Sequence, residues 1–206
     1  MAKIHTIQES FSTPIDPAKW TANYISSVNG RGAFSITAVG QQGELITPAN
    51  HDITSSSISA KLTPTTLPPG AQAVVAMLEM GVQGPYNSAI FSNESLRVQI
   101  YGTPNGETIA LSHNNWNYSG TSEYVNIAYN RTQHAYVRIR VSGSLAYLDT
   151  SPDGRVWTQR GSCNHRLTTP ASVKPRFFYI HGEQQPAYID DINIIPSSGA
   201  FMQFFQ

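Results

Sequence analysis

Hydrophobic and polar positions alternate along most of this chain with a period of two. In YVRIRVS, Val137, Ile139 and Val141 alternate with Arg138 and Arg140, so one side of the segment is apolar and the other carries two guanidinium groups. Ser142-Gly143-Ser144 supplies a reversal, and Leu145-Ala146-Tyr147-Leu148 returns as the partner strand. Ser151-Pro152-Asp153-Gly154 is then a second turn. Proline presets its first corner, and glycine tolerates a positive φ at the end of it. The ribbon predicts a shared apolar interior of Trp157, Val137, Ile139, Val141, Phe177 and Ile192.

Similar runs recur about every ten residues, at 4–11, 32–39, 53–62, 72–81, 89–92, 96–101, 108–113, 124–129, 136–141, 145–150, 176–181 and 187–195. Proline and glycine punctuate them, as at Pro68-Pro69-Gly70, Gly84-Pro85 and Pro104-Asn105-Gly106. No helical period is sustained. One short helix is expected at Asp16-Pro17-Ala18-Lys19-Trp20, where Asp16 can cap and Pro17 suits the first position. The pattern predicts one all-β domain over 1–195, followed by an apolar tail at 196–206.

Composition narrows the function classes. Charged residues make up 13% of the 206 positions, against roughly 25% in ordinary domains, and the formal net charge is zero. That balance argues against a nucleic-acid or anionic-membrane surface. Hydrophobic content of 40% is enough to bury a core, and no window is long and apolar enough for a membrane helix. The opening MAKIHTIQESF lacks the apolar block of a signal peptide, so synthesis in the cytoplasm is expected. Cys163 is the single cysteine, which rules out an internal disulfide.

Three stretches carry a resemblance. ESFSTPIDPAKW, YVRIRVSGSLAYLDTSPDGRVW and AYIDDINI, in that order, resemble the concanavalin A-like lectin/glucanase family, including its laminin G-like modules. The resemblance implies a two-sheet antiparallel jelly-roll sandwich with its first and last strands adjacent. It also implies a structural calcium shared by Glu9 and Asp191, in competition with a reading in which Asp191 caps a turn or meets an arginine. Modules resembling this one occur in phage tail and decoration proteins, which raises a virion or other extracellular assembly as a destination.

Enzyme chemistry finds little support in the residues. Glucanases of this fold carry carboxylates at alternate positions of one strand, where one serves as nucleophile and another as general acid. None of the seven glutamates here has an acid two residues on. SPDGRVW departs from the sialidase Asp box, because its glycine comes one position early and it stands as a single copy. It reads as a corner. Cys163 near His165 offers a thiol-and-base reading, against the commoner one of an inert buried thiol.

Binding has better candidates. Asn115, Trp116, Asn117 and Tyr118 place rings among amides in an expected loop, and Tyr86 and Tyr124 can widen that surface. Rings stack on the C–H faces of sugars while amides pair with their hydroxyls. The competing reading tucks Trp116 into the sandwich edge or another subunit. Arg138 and Arg140 are expected to meet an acid across the sheet. In the tail, Phe201, Met202, Phe204 and Phe205 follow a Pro-Ser-Ser-Gly hinge and are expected to pack on another subunit, with docking on the same sandwich as the alternative.

Overall fold

The computed structural model describes residues 2–35, 43–47, 51–66, 74–81, 94–103, 106–115, 124–165, 167, 172–179 and 187–196. Within these, fifteen strands form two antiparallel sheets. The eight-stranded sheet runs in the order β1 (Thr21–Asn23), β4 (Gly43–Ile46), β14 (Ser172–Tyr179), β7 (Val74–Gly81), β8 (Glu94–Thr103), β9 (Gly106–Asn115) and β10 (Tyr124–Ala128). β5 (His51–Asp52) pairs with the start of β14. The seven-stranded sheet runs β13 (Thr158–Asn164), β12 (Leu145–Ser151), β11 (Tyr136–Ser142), β6 (Ser57–Thr63), β15 (Ala187–Asp190), β3 (Arg31–Phe34) and β2 (Ile25–Val28).

Alternation decides which side each strand buries. Ile58, Ala60 and Leu62 of β6, and Val137, Ile139 and Val141 of β11, face inward from one sheet. They join Leu96, Val98 and Ile100 of β8 and Ile109 and Leu111 of β9 in a single apolar cluster. The expected two-layer sandwich is therefore present. The sheets close tightly at one point, where a Cβ on Gly161 of β13 would lie 2.6 Å from the Val125 side chain of β10. Only a glycine allows that approach.

Three local expectations are corrected. The segment 4–11 is not a strand. Ile4–Thr6 forms a 3-10 turn, with Ile7 N–H donating to the Ile4 carbonyl at 3.2 Å, because the apolar residues Ile4 and Ile7 are three apart rather than two. The helix at 16–20 is a single hydrogen-bonded turn, which Asp16 caps by accepting from Ala18 N–H at 2.9 Å. Trp157 is not in the interior with Val137, Ile139, Val141 and Ile192; it lies half-buried on the outward side, beneath the Arg138 guanidinium. The core tryptophan is Trp20, 2% exposed. Phe177 has its backbone in β14, and its side chain is outside the described set.

The Ser151–Val156 corner is built as its sequence suggests. Asp153 Oδ1 accepts from Arg155 N–H at 2.9 Å and Val156 N–H at 3.1 Å, and these bonds hold its carboxyl below the usual range. Gly154 has φ +74°, and a Cβ there would come within 2.9 Å of Pro196. Arg155 Nε donates to the Pro196 carbonyl at 2.9 Å. The corner thus pins the stretch that follows the last strand. Near it, Glu9 and Ile192 form an antiparallel bridge, so the two ends of the domain are adjacent as expected.

Candidate functional site

The register of the eight-stranded sheet brings distant stretches to one end. Gly81 at the end of β7 pairs with Ser95, Glu94 at the start of β8 pairs with Asn115, and Tyr124 at the start of β10 pairs with Ser112. Segments 82–93 and 116–123 therefore leave and re-enter the sheet at the same edge. Those segments carry Tyr86, Trp116, Asn117 and Tyr118, which lie outside the described residues. Asn115 and Tyr124 are placed at the roots of the second segment by their backbones, and their side chains are likewise outside the described set. Loops rooted on a rigid sheet are a common place for recognition.

The outward side of the same sheet carries an acid that sequence reasoning passed over. Glu79 faces outward between the inward Leu78 and Met80, yet it is only 1% exposed. Arg97, its register partner on β8, donates from Nε to Glu79 Oε1, and the same Nε lies 3.1 Å from Ser95 Oγ. The signal was legible as one acid and one base on facing strands of a hairpin. Next to Glu79 on that side of β7 stand Met77 and Gly81, neither of them acidic. Glu44 on β4 shares the outward side, and its Oε1 accepts from Asn23 Nδ2 at 2.7 Å. Two strand spacings and a two-residue offset separate the Glu44 and Glu79 backbones, about 12 Å in all.

The outward side of the seven-stranded sheet is saturated. Asp149 is 1% exposed and faces both arginines anticipated there. Arg138 Nη2 lies 2.8 Å and Arg140 Nε 2.9 Å from its Oδ2. Asp149 sits opposite Arg138 in register, which is why the polar-side arginines find it. Four described rings on this side each have a cation over them. Arg138 stacks on Trp157 at 4.3 Å, Arg140 on Tyr147 at 4.1 Å, Arg31 on Tyr188 at 5.2 Å and Lys61 on Tyr136 at 5.6 Å. A ring face already covered by a guanidinium or ammonium is closed to a sugar.

Glu9 and Asp191 do not fit a shared calcium. The bridge at Ile192 brings their stretches together, but the two carboxylates have different partners. Glu9 Oε1 accepts from Phe11 N–H at 2.9 Å and Oε2 from Trp20 Nε1–H at 3.1 Å. Asp191 has φ +51° and accepts from the Tyr136 hydroxyl at 2.8 Å. Burial first, and then this carboxylate, pushes the Tyr136 phenol well above its usual value. Calcium takes six to eight oxygens, and among the described residues no three His, Cys, Asp or Glu side chains gather. Both carboxylates serve as local hydrogen-bond acceptors, and the partner of Asp191 is the Tyr136 hydroxyl rather than the arginine of the competing reading.

Cys163 is buried in the core cluster, 2% exposed. His165 is 3% exposed and accepts from Leu167 N–H at 3.1 Å, with burial, and then the charge of His113, holding its imidazole below its usual pKa. A buried thiol in apolar surroundings is inert. Phe201, Met202, Phe204 and Phe205 lie outside the described residues.

No family model and no curated protein matches the chain. Solved structures do. The exoplasmic/lumenal domain of VIP36 in its Ca2+/Man3GlcNAc-bound form has a TM-score of 0.64 at 8% identity, covering 94% of this chain and 93% of that one. A laminarinase from Flavobacterium sp. UMI-01 has a TM-score of 0.62 at 11% identity, with 91% and 97% covered. An immunostimulatory antigen and pseudo β-1,3-glucanase of Mycobacterium tuberculosis has a TM-score of 0.61 at 13% identity, with 93% and 98% covered. The fold is the concanavalin A-like lectin/glucanase sandwich. At these identities the likeness shows architecture, which this fold lends to binders and enzymes alike.

Proposed function

We propose that the chain is a non-catalytic module that binds glycan at the loop end of the eight-stranded sheet. The observation that carries the reading is the register that roots at one edge segment 82–93, whose sequence includes Tyr86, and segment 116–123, whose sequence includes Trp116, Asn117 and Tyr118, with Asn115 and Tyr124 as the flanking strand ends. Two further observations support it. Rings on the opposite sheet are covered by cations, and the acid on β7 is locked by Arg97, with no second acid next to it on its own strand among the described residues. The neighbours include a glycan-bound domain, which is consistent with a glycan ligand here.

Glycan cleavage is the runner-up, and the pairing of Glu79 with Arg97 and the lack of an acid two residues after any glutamate weigh against it. Adhesion within a virion, as a phage tail or decoration component assembled from several subunits, rests on the resemblance in sequence alone; tail or capsid genes beside this one would support it. Screening oligosaccharides for binding and for release of reducing ends tests the main reading. Binding without turnover is expected, and turnover of any of them sinks it.

A further inference from the structure

A cavity of about 410 Å3 opens beside the N-terminal segment. Among the described residues, Thr6, Ile7, Gln8, Ala18, Lys19, Thr47 after β4 and His51 of β5 line it. Its size is within the range of small-ligand pockets, and like them it combines an apolar surface, here Ile7 and Ala18, with a few convergent polar groups.

The polar groups suggest what fits. His51 Nδ1 is buried and has no hydrogen-bond partner among the described residues. A buried nitrogen left unpaired carries a desolvation cost that a ligand atom would offset. Burial lowers the His51 pKa, so the ring is neutral near pH 7 and can present an N–H at Nδ1. Lys19 adds a positive charge and makes no ion pair among the described residues. The nearby acids are engaged. Asp52 pairs with Lys3 at 2.7 Å, and Asp16 accepts from Ala18 N–H at 2.9 Å. Thr6 Oγ1 donates to the Lys3 carbonyl at 2.7 Å, which leaves its lone pairs as acceptors. Gln8 reaches the Asn193 carbonyl at a long 3.5 Å, so its amide is available. A cation and a ring N–H suit a carboxylate, and acceptors lining the same cavity suit hydroxyls.

We infer that this cavity binds a small hydroxylated carboxylate such as a sugar acid, with the carboxylate at Lys19 and His51 and the hydroxyls at Thr6 and Gln8. The inference is independent of the loop-end reading. Calorimetric titration of the full chain with sodium glucuronate tests it, with glucose as the neutral counterpart and acetate as the carboxylate without hydroxyls. Saturable glucuronate binding is expected, weaker for acetate and absent for glucose. Lys19→Met, a surface change that leaves the fold intact, is expected to weaken it about tenfold. The His51 ring nitrogen resonances of the unsubstituted protein are expected to shift on titration, which avoids relying on a His51 variant that fails to fold. Trp116→Ala leaves this binding unchanged, so failure here and failure at the loop end are separately visible. No saturation by ~50 mM, an equal response to glucose or acetate, or an affinity unaffected by Lys19→Met overturns the inference.

Discussion

The outward side of the seven-stranded sheet and the loop end of the eight-stranded sheet are both rich in aromatic and polar residues, yet they are organised differently. On the first, Asp149 holds Arg138 and Arg140, and those guanidiniums cover Trp157 and Tyr147. Every hydrogen-bonding or stacking group named there has a partner within the chain. At the second, Asn115 and Tyr124 are the terminal residues of β9 and β10, and the segments that carry the other candidates are rooted at the same sheet edge. Aromatic and charged composition alone therefore does not mark a binding surface. What closes the first region is that the chain itself supplies the partners of its groups.

The largest expected effect comes from breaking the saturated side. Asp149→Ala leaves Arg138 and Arg140 beside each other without a counter-charge. A broken buried pair costs roughly 3–5 kcal/mol, and the partial exposure of both arginines puts this one at the lower end, about 3 kcal/mol. Denaturant unfolding measures it. A loss under about 1 kcal/mol, the range of exposed pairs, would mean that this side is an ordinary solvated surface and the contrast between the regions is weak.

Acid probes the interior on which both regions rest. Burial holds His134 and His165 below their usual 6.5, with a further lowering from Arg160 for His134 and from His113 for His165. The unfolded chain therefore binds more protons just below pH 6.5 than the folded one does. Stability is present in full above that pH and is lost as pH falls, by at most about 1.4 kcal/mol per unit for each histidine. Melting temperatures across pH 7 to 5 should decline, and the decline should be shallower in His165→Gln. A flat profile contradicts the burial of these rings.

Trp157→Ala is expected to have the smallest effect. A half-buried ring under one guanidinium contributes about 1 kcal/mol or less through that stacking, against roughly 3–5 kcal/mol for a tryptophan in the core. A loss in the core range would restore Trp157 to the interior.

Alternation made β6, β8, β9, β11 and β12 legible, because each buries one apolar side. β13 was not legible, since only Cys163 in Thr158–Asn164 is buried and no period of two exists to read. β1, β2 and β4 are three or four residues long, too short for periodicity to register. Trp157 was misplaced because size and hydrophobicity suggested the core, whereas the outward Arg138 on the neighbouring β11 offered its ring a partner outside it. The Glu9 carboxylate was read through a resemblance, but its actual partners, Phe11 N–H and Trp20 Nε1–H, depend on a backbone turn at Phe11 with φ +55° that no pattern announces. For the candidate site, residue type pointed to Trp116 and its neighbours. Only the register showed that the stretch carrying Tyr86 shares their end.

The most direct test compares the two regions on one ligand. For an oligosaccharide that the protein binds, affinity is measured for the unsubstituted chain, Trp116→Ala and Trp157→Ala. A stacked ring is worth about 1 kcal/mol or more, so Trp116→Ala should weaken binding about fivefold or more while Trp157→Ala leaves it unchanged. Binding that survives Trp116→Ala and is lost in Trp157→Ala would place the site on the seven-stranded sheet and contradict the account.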